Sequence, residues 1–224
     1  MARQKLSERV LPSYTKGEEI FNMVSHIVGG AVGIATLVLC VVFAAIHRNP
    51  YGVVGGAIYG ASLVILYTSS SIYHGLKPSL TAKKVFQIMD HCSIFFLIAG
   101  SYTPITLVAL REYNPLLGWG VFGVVWAAAI IGITLNSIDI KSYRKFSAIC
   151  YLAMGWCIVF AWGAADYMIA NGGLLLLLFG GISYTIGALI YYFFKKRRYA
   201  HSIFHLFVLA GSILQALYIM IYII

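Results

Sequence analysis

Two histidines spaced four residues apart, His201 and His205, are the strongest chemical signal in this sequence. On a helix, side chains at i and i+4 share one face, with Cβ atoms about 5–6 Å apart. Both imidazoles can then reach one zinc ion, which binds nitrogen at about 2.0–2.1 Å. We expect His74, on another helix, to be the third ligand. Three protein ligands leave one position for water, so the pattern predicts a zinc site of the catalytic type.

Further polar residues within apolar stretches are candidates for the same site. Asp90 is expected to bond the zinc-bound water and to act as general acid or base. Ser70, one turn before His74, is expected to orient a ligand or a substrate carbonyl. A helical stripe at i, i+3 and i+7 is expected to support the ligands or to bind substrate, and it comprises Glu19, Asn22 and His26.

The elements that must position these residues are membrane-spanning helices. Of the 224 residues, 61% are hydrophobic and 10% charged, whereas soluble domains carry about 25% charged residues. A spanning helix needs roughly 20 mostly apolar residues. Seven segments qualify, and they cover residues 19–46, 51–76, 85–110, 116–138, 146–165, 173–194 and 201–224. The sequence predicts an all-α bundle of seven transmembrane helices over residues 19–224, preceded by a short cytoplasmic segment, residues 1–18.

Basic residues indicate how this bundle is oriented. All but two of the 16 Lys and Arg residues fall in the N-terminal segment or in the loops after the second, fourth and sixth segments. The exceptions are Arg48 and Arg111. Because loops rich in Lys and Arg stay in the cytoplasm, we predict a cytoplasmic N-terminus and an outside C-terminus. This topology is opposite to that of the G-protein-coupled receptors. It places His74, Asp90 and His201 near the cytoplasmic boundary.

The formal net charge of +9 does not indicate a nucleic-acid partner. The basic residues lie in short clusters between apolar segments, so anionic lipid head groups are the expected partners. The four cysteines include no CxxC pair and lie within apolar segments, so we expect no disulfide bonds.

Four motifs together resemble the hemolysin III family, the bacterial branch of the progestin and adipoQ receptor (PAQR) group. They occupy residues 19–26, 70–74, 90–94 and 201–205, and the resemblance covers essentially the whole chain. It implies a multi-pass protein of the bacterial plasma (inner) membrane. By motif position, zinc would be held by His74, His201 and His205, with Asp90 nearby. The adiponectin receptors and alkaline ceramidases are similar proteins that use such zinc to hydrolyse lipid amides.

Several functions are compatible with these residues. The first is zinc-dependent hydrolysis of a lipid amide or ester within the membrane, with a lipid or fatty acid in the bundle and an effect on membrane lipid homeostasis. The second is a non-enzymatic regulator or sensor in which zinc only ties helices together. A hemolysin-type pore is disfavoured because a pore needs polar lining at every depth, and the outer half is apolar. A haem carrier is disfavoured because HxxxH favours one chelated ion.

Overall fold

The computed structural model describes residue 6, residues 9–164 and residues 173–224. Its long helices are α1 (Lys16–Ile46), α2 (Pro50–Gly75), α3 (Thr81–Pro104), α4 (Pro115–Gly155), α5 (Leu174–Phe194) and α6 (Ala200–Tyr222). Shorter pieces are a π-helix (Ile105–Leu110), a helical turn (Arg111–Tyr113) and a 3₁₀ helix (Cys157–Ala164). The predicted end of the fifth segment at residue 165, the following loop with Asp166, and the basic residues Arg3 and Lys5 lie outside the described residues.

The described part of the chain contains six helices that are long and apolar enough to cross a membrane, and no β-strand. A helical membrane protein is therefore the fold class. The prediction had seven segments, because it separated 116–138 from 146–165. In the structure both fall in one apolar helical stretch, Pro115–Ala161, of 47 residues. A straight helix of 47 residues would measure about 70 Å at 1.5 Å per residue, more than twice the hydrocarbon thickness of roughly 30 Å.

Helix α4 is broken at Asp139, whose backbone is extended (φ −157°, ψ 99°). The Asp139 carboxylate accepts a hydrogen bond from the Lys141 amide at 2.9 Å, which is how a helix N-cap residue acts. Ser147 donates to Asn136 at 2.7 Å, and Asn136 donates to the Tyr151 hydroxyl at 3.2 Å. Residues 136 and 151 would lie roughly 22 Å apart on a straight helix. The chain therefore turns back on itself at Asp139.

Local sequence explains where two other helices begin. Asn49 precedes Pro50, and its side-chain oxygen accepts from the Gly52 amide at 2.8 Å. Asn114 precedes Pro115 and accepts from the Leu117 amide in the same way, at 3.1 Å. Asparagine suits the N-cap position, and proline suits the first helical position because its missing N–H would be unbonded there.

Helices α1, α2 and α6 pack closely around the site. A Cβ atom at Gly29 would overlap the Tyr67 ring, so glycine allows α1 and α2 to approach. The Tyr59 hydroxyl on α2 donates to the Ser212 carbonyl on α6 at 3.2 Å, and the Tyr67 hydroxyl donates to the Ser212 hydroxyl at 2.7 Å. These contacts align the end of α2 with the beginning of α6.

Candidate metal centre

Three imidazoles converge where α2 ends and α6 begins. His201 Nε2 lies 3.3 Å from His74 Nε2 and 3.0 Å from His205 Nε2. The ligand atoms of all three side chains lie within 4.8 Å of one another. A tetrahedral zinc ion with nitrogen ligands at 2.0–2.1 Å needs nitrogens about 3.3 Å apart. Both the spacing and the imidazole donor set therefore fit zinc.

A carboxylate orients one of these imidazoles. His74 Nδ1 lies 2.6 Å from Glu19 Oε2 on α1. Because an ionised carboxylate only accepts hydrogen bonds, the His74 proton resides on Nδ1, and the Nε2 lone pair faces the other two histidines. Histidines that bind metals commonly have a carboxylate partner of this kind.

Lys83 extends this contact to a third helix. Its ammonium donates to Glu19 Oε1 at 2.7 Å and to the Leu76 carbonyl at 3.0 Å. The side chain is 1% exposed. The sequence predicts that Lys83 lies in a cytoplasmic loop, as one of the basic residues that set the topology. In the structure it lies in the first turn of α3 as a buried partner of Glu19.

A fourth histidine packs against the cluster without joining it. The His26 ring on α1 stacks on His205, with centroids 3.6 Å apart and an interplanar angle of 14°. His26 also meets the edge of Tyr67. Within the described residues, the group of three ligands comprises only His74, His201 and His205. The geometry therefore gives His26 a packing role beside His205 and leaves both of its nitrogens free.

An aromatic side chain covers the cluster from the N-terminal segment. The Tyr14 ring stacks on His201 with centroids 5.1 Å apart, and its centroid lies 5.7 Å from that of His74. Burial raises the pKa of the Tyr14 phenol above its usual value, and nearby Tyr191 and Tyr73 raise it further. The phenol is therefore neutral at physiological pH. Tyr14 was not predicted as a site residue, because residues 1–18 were predicted only as a short cytoplasmic segment before the bundle.

Glu18 connects the N-terminal segment, whose Tyr14 covers the cluster, to helix α6, which carries His201 and His205. Its carboxylate accepts from the Thr15 amide at 2.9 Å, forming a capping box at the start of α1. The same carboxylate accepts from the Tyr199 amide at 2.8 Å. Tyr199 has a left-handed backbone (φ 59°), which is unfavourable for a residue with a side chain. Glu18 thus holds the turn that begins α6 two residues before His201.

Asp90 lies at the edge of the cluster. Its carboxylate is 3.7 Å from His91 Nδ1 on the same helix. It interacts electrostatically with Tyr14, Tyr73 and Tyr191, aromatic residues that surround the histidines. The carboxylate in direct contact with a histidine of the cluster is Glu19, so the predicted role of Asp90 in proton transfer remains a prediction.

Ser70 and Asn22 are also buried beside the cluster. Ser70 lies one turn before His74, and Asn22 one turn after Glu19; both are 0% exposed. Neither side chain has a hydrogen-bond partner among the described residues. The structure therefore places all eight residues predicted for the site in one region, while their roles stay predictions.

The fold and the site together define a class of protein. It is a helical membrane bundle in which three histidines from two helices meet at one end. Comparison with known families is specific: the Haemolysin-III related family model matches residues 14–216. The chain belongs to this family. The match begins at Tyr14 and includes every residue of the cluster.

Individual relatives agree with this membership. The chain is similar to "Hemolysin-3" of Bacillus cereus, with 36% identity over 206 residues, 92% of each chain. It is also 36% identical to "Hemolysin-3 homolog" of Bacillus subtilis (strain 168) over 199 residues, 89% of this chain and 91% of that one. "Monocyte to macrophage differentiation factor" of Homo sapiens is 31% identical over 165 residues, 69% of this chain and 64% of its own. The family is therefore related to mammalian PAQR-type proteins.

Proposed function

We propose that this protein is a zinc-dependent hydrolase of the bacterial plasma membrane, acting on a lipid amide or ester and influencing membrane lipid homeostasis. The observation that carries the proposal is the approach of three imidazole nitrogens within 4.8 Å, on two helices. The Glu19 contact at 2.6 Å supports it, because that contact directs the His74 lone pair into the cluster. The bacterial relatives support the location.

The proposed topology has seven spans, with the N-terminus in the cytoplasm and the C-terminus outside. The reversal at Asp139 supports it, because each arm of the Pro115–Ala161 stretch then crosses the membrane once. The distribution of basic residues supports the orientation. In this topology the site faces the cytoplasmic leaflet, and Tyr14 covers it from the cytoplasm.

Each role in the proposed reaction is assigned to a particular side chain. His74, His201 and His205 would hold the zinc ion, which would act as a Lewis acid and lower the pKa of water to about 7. Asp90 accepts a proton as water attacks the substrate carbonyl and returns it to the leaving amine or alcohol. Ser70 donates a hydrogen bond to the carbonyl oxygen. Tyr14 limits entry of bulk water, since its ring covers His201.

The experiment that tests this proposal is a turnover assay on purified protein in liposomes. The substrates are radiolabelled lipids with an amide-linked or an ester-linked acyl chain, and the product is the free fatty acid. We expect release of fatty acid that stops after zinc is removed with a chelator and returns when zinc is added back. Stoichiometric zinc with no release from either lipid class would contradict the hydrolase proposal.

A non-enzymatic regulator with structural zinc is the second candidate. The chain of contacts from His74 through Glu19 to Lys83 favours it, because these contacts join α1, α2 and α3 at the same site. Zinc at this position would add α6 to that connection. The turnover assay separates the candidates, because a purely structural ion stabilises the bundle and releases no product.

A further inference from the structure

Residues 9–15 lie at the end of the bundle that carries the histidine cluster, and they form neither helix nor strand. We call this segment the strap. Near its start, Arg9 is 8% exposed and interacts electrostatically with Asp139, at the break in α4. Near its end, the Tyr14 ring stacks on His201 at the beginning of α6. The strap therefore connects the α4 side of the bundle to α6.

Tyr14 is the residue of the strap that contacts the candidate metal ligands. Its ring is nearly parallel to that of His201, with an interplanar angle of 17°, and it also packs against His74. Tyr191 on α5 contacts His201 as well, with ring centroids 5.1 Å apart. Two of the three histidines thus pack against a side chain that comes from outside the long helices.

The strap is only loosely attached to the helices between these two side chains. In the part of the chain that the structure describes, no backbone–backbone hydrogen bond joins residues 10–14 to the bundle. Val10 is 87% exposed, and Pro12 is exposed as well. Segments with few buried contacts and no backbone hydrogen bonds open at low free energy. The side chains of Arg9 and Tyr14 are therefore the main attachments of the strap.

The residue after Tyr14 is fixed. The Glu18 amide donates to the Thr15 hydroxyl at 3.3 Å, and the Thr15 amide donates to the Glu18 carboxylate at 2.9 Å. The same carboxylate accepts from the Tyr199 amide at 2.8 Å, next to α6. Thr15 can therefore stay in place, as the first point of α1, while the residues before it move.

We propose that the strap is a movable cover of the candidate metal centre, with Tyr14 as its latch and Thr15 as its pivot. The structure shows the closed position, in which the Tyr14 ring lies on His201. In the open position this ring leaves His201, and zinc and water reach the histidines from the same end of the bundle. The inference rests on the metal centre of the proposed function and adds the step that admits zinc and water to it.

The rate at which a chelator removes zinc measures this opening. Zinc-loaded protein in detergent is mixed with an excess of a hydrophilic chelator that changes absorbance when it binds zinc. We expect Tyr14→Ala to release zinc about tenfold faster than the wild type, because losing the aromatic contact increases the population of the open position. Tyr14→Phe keeps the ring on His201 and should release zinc at nearly the wild-type rate. All variants should begin with one zinc ion per protein.

Arg9 provides a second, independent variant. Arg9→Gln removes the attraction to Asp139, so zinc release should be about threefold faster. Arg9→Lys keeps the positive charge and should restore most of the wild-type rate. Asp139 itself is left unchanged, because it also accepts from the Lys141 amide and caps the second arm of α4.

Tyr222→Ala is the matched control. Tyr222 is also a tyrosine stacked on another ring, that of Tyr218, but it lies at the opposite end of α6 from His201. This variant should release zinc at the wild-type rate.

Equal release from the wild type and Tyr14→Ala, or equal acceleration in Tyr14→Phe or Tyr222→Ala, would overturn the inference. Such a result together with lipid turnover would leave the proposed hydrolase function intact. Slow release that depends on Tyr14, in a protein that hydrolyses no lipid, would support the movable strap and contradict the hydrolase.

Discussion

Replacing His205 with alanine should reduce bound zinc from about one ion per protein to less than one tenth. Among the described residues, His205 supplies one of the three nitrogens of the cluster, so its loss leaves only two of these ligands. Zinc that binds only the folded state stabilises it by about 4 kcal/mol at 1,000 times its Kd. The variant should therefore melt roughly 10 °C lower. Metal quantification and thermal unfolding give both readouts.

The control for this prediction is His91→Ala. His91 lies on α3, its Nδ1 faces the Gln87 carbonyl at 2.9 Å, and it is not part of the cluster. This variant should keep stoichiometric zinc. If His205→Ala kept its zinc, or if His91→Ala lost as much, the three-histidine site would be wrong.

Replacing Asp90 with asparagine should abolish most lipid turnover while zinc stays bound. A general acid or base typically contributes 10²–10⁴-fold to a rate, so we expect a loss of about that size in the liposome assay. Zinc content should not change, because Asp90 lies outside the group of three ligands. Asparagine keeps the shape of the side chain and removes its ability to accept a proton.

Glu112→Gln is the matched control for the loss of a carboxylate. Glu112 is exposed, in the turn Arg111–Tyr113 at the other end of α3. Its turnover should equal that of the wild type. Turnover in Asp90→Asn at the wild-type rate would remove Asp90 from the mechanism and would direct attention to Glu19, the carboxylate that contacts His74.

The spacing of residues within single helices was sufficient to predict the three histidines as metal ligands. The i, i+4 separation of His201 and His205 is a property of one helix, and the depth of His74 follows from counting residues in α2. The helical fold followed equally directly from composition, since long apolar segments have few alternatives in a membrane. Predictions of this kind depend on periodicity within one element.

Contacts between distant parts of the chain could not be predicted in this way. Tyr14 and His201 are far apart in sequence, and no local pattern indicates that their rings stack. Lys83 belongs to a cluster of basic residues that is typical of a cytoplasmic loop, but tertiary packing buries its side chain against Glu19. The break at 139–145 was predicted as a loop, whereas the chain is extended only at Asp139, whose carboxylate caps a new helix almost at once.

X-ray absorption at the zinc edge of the purified wild-type protein tests the central claim most directly. We predict three imidazole nitrogens and one further light atom at about 2.0–2.1 Å, with the multiple scattering of histidine rings and no sulfur. A sulfur shell near 2.3 Å, a single imidazole, or the absence of zinc from protein purified without chelator would contradict it.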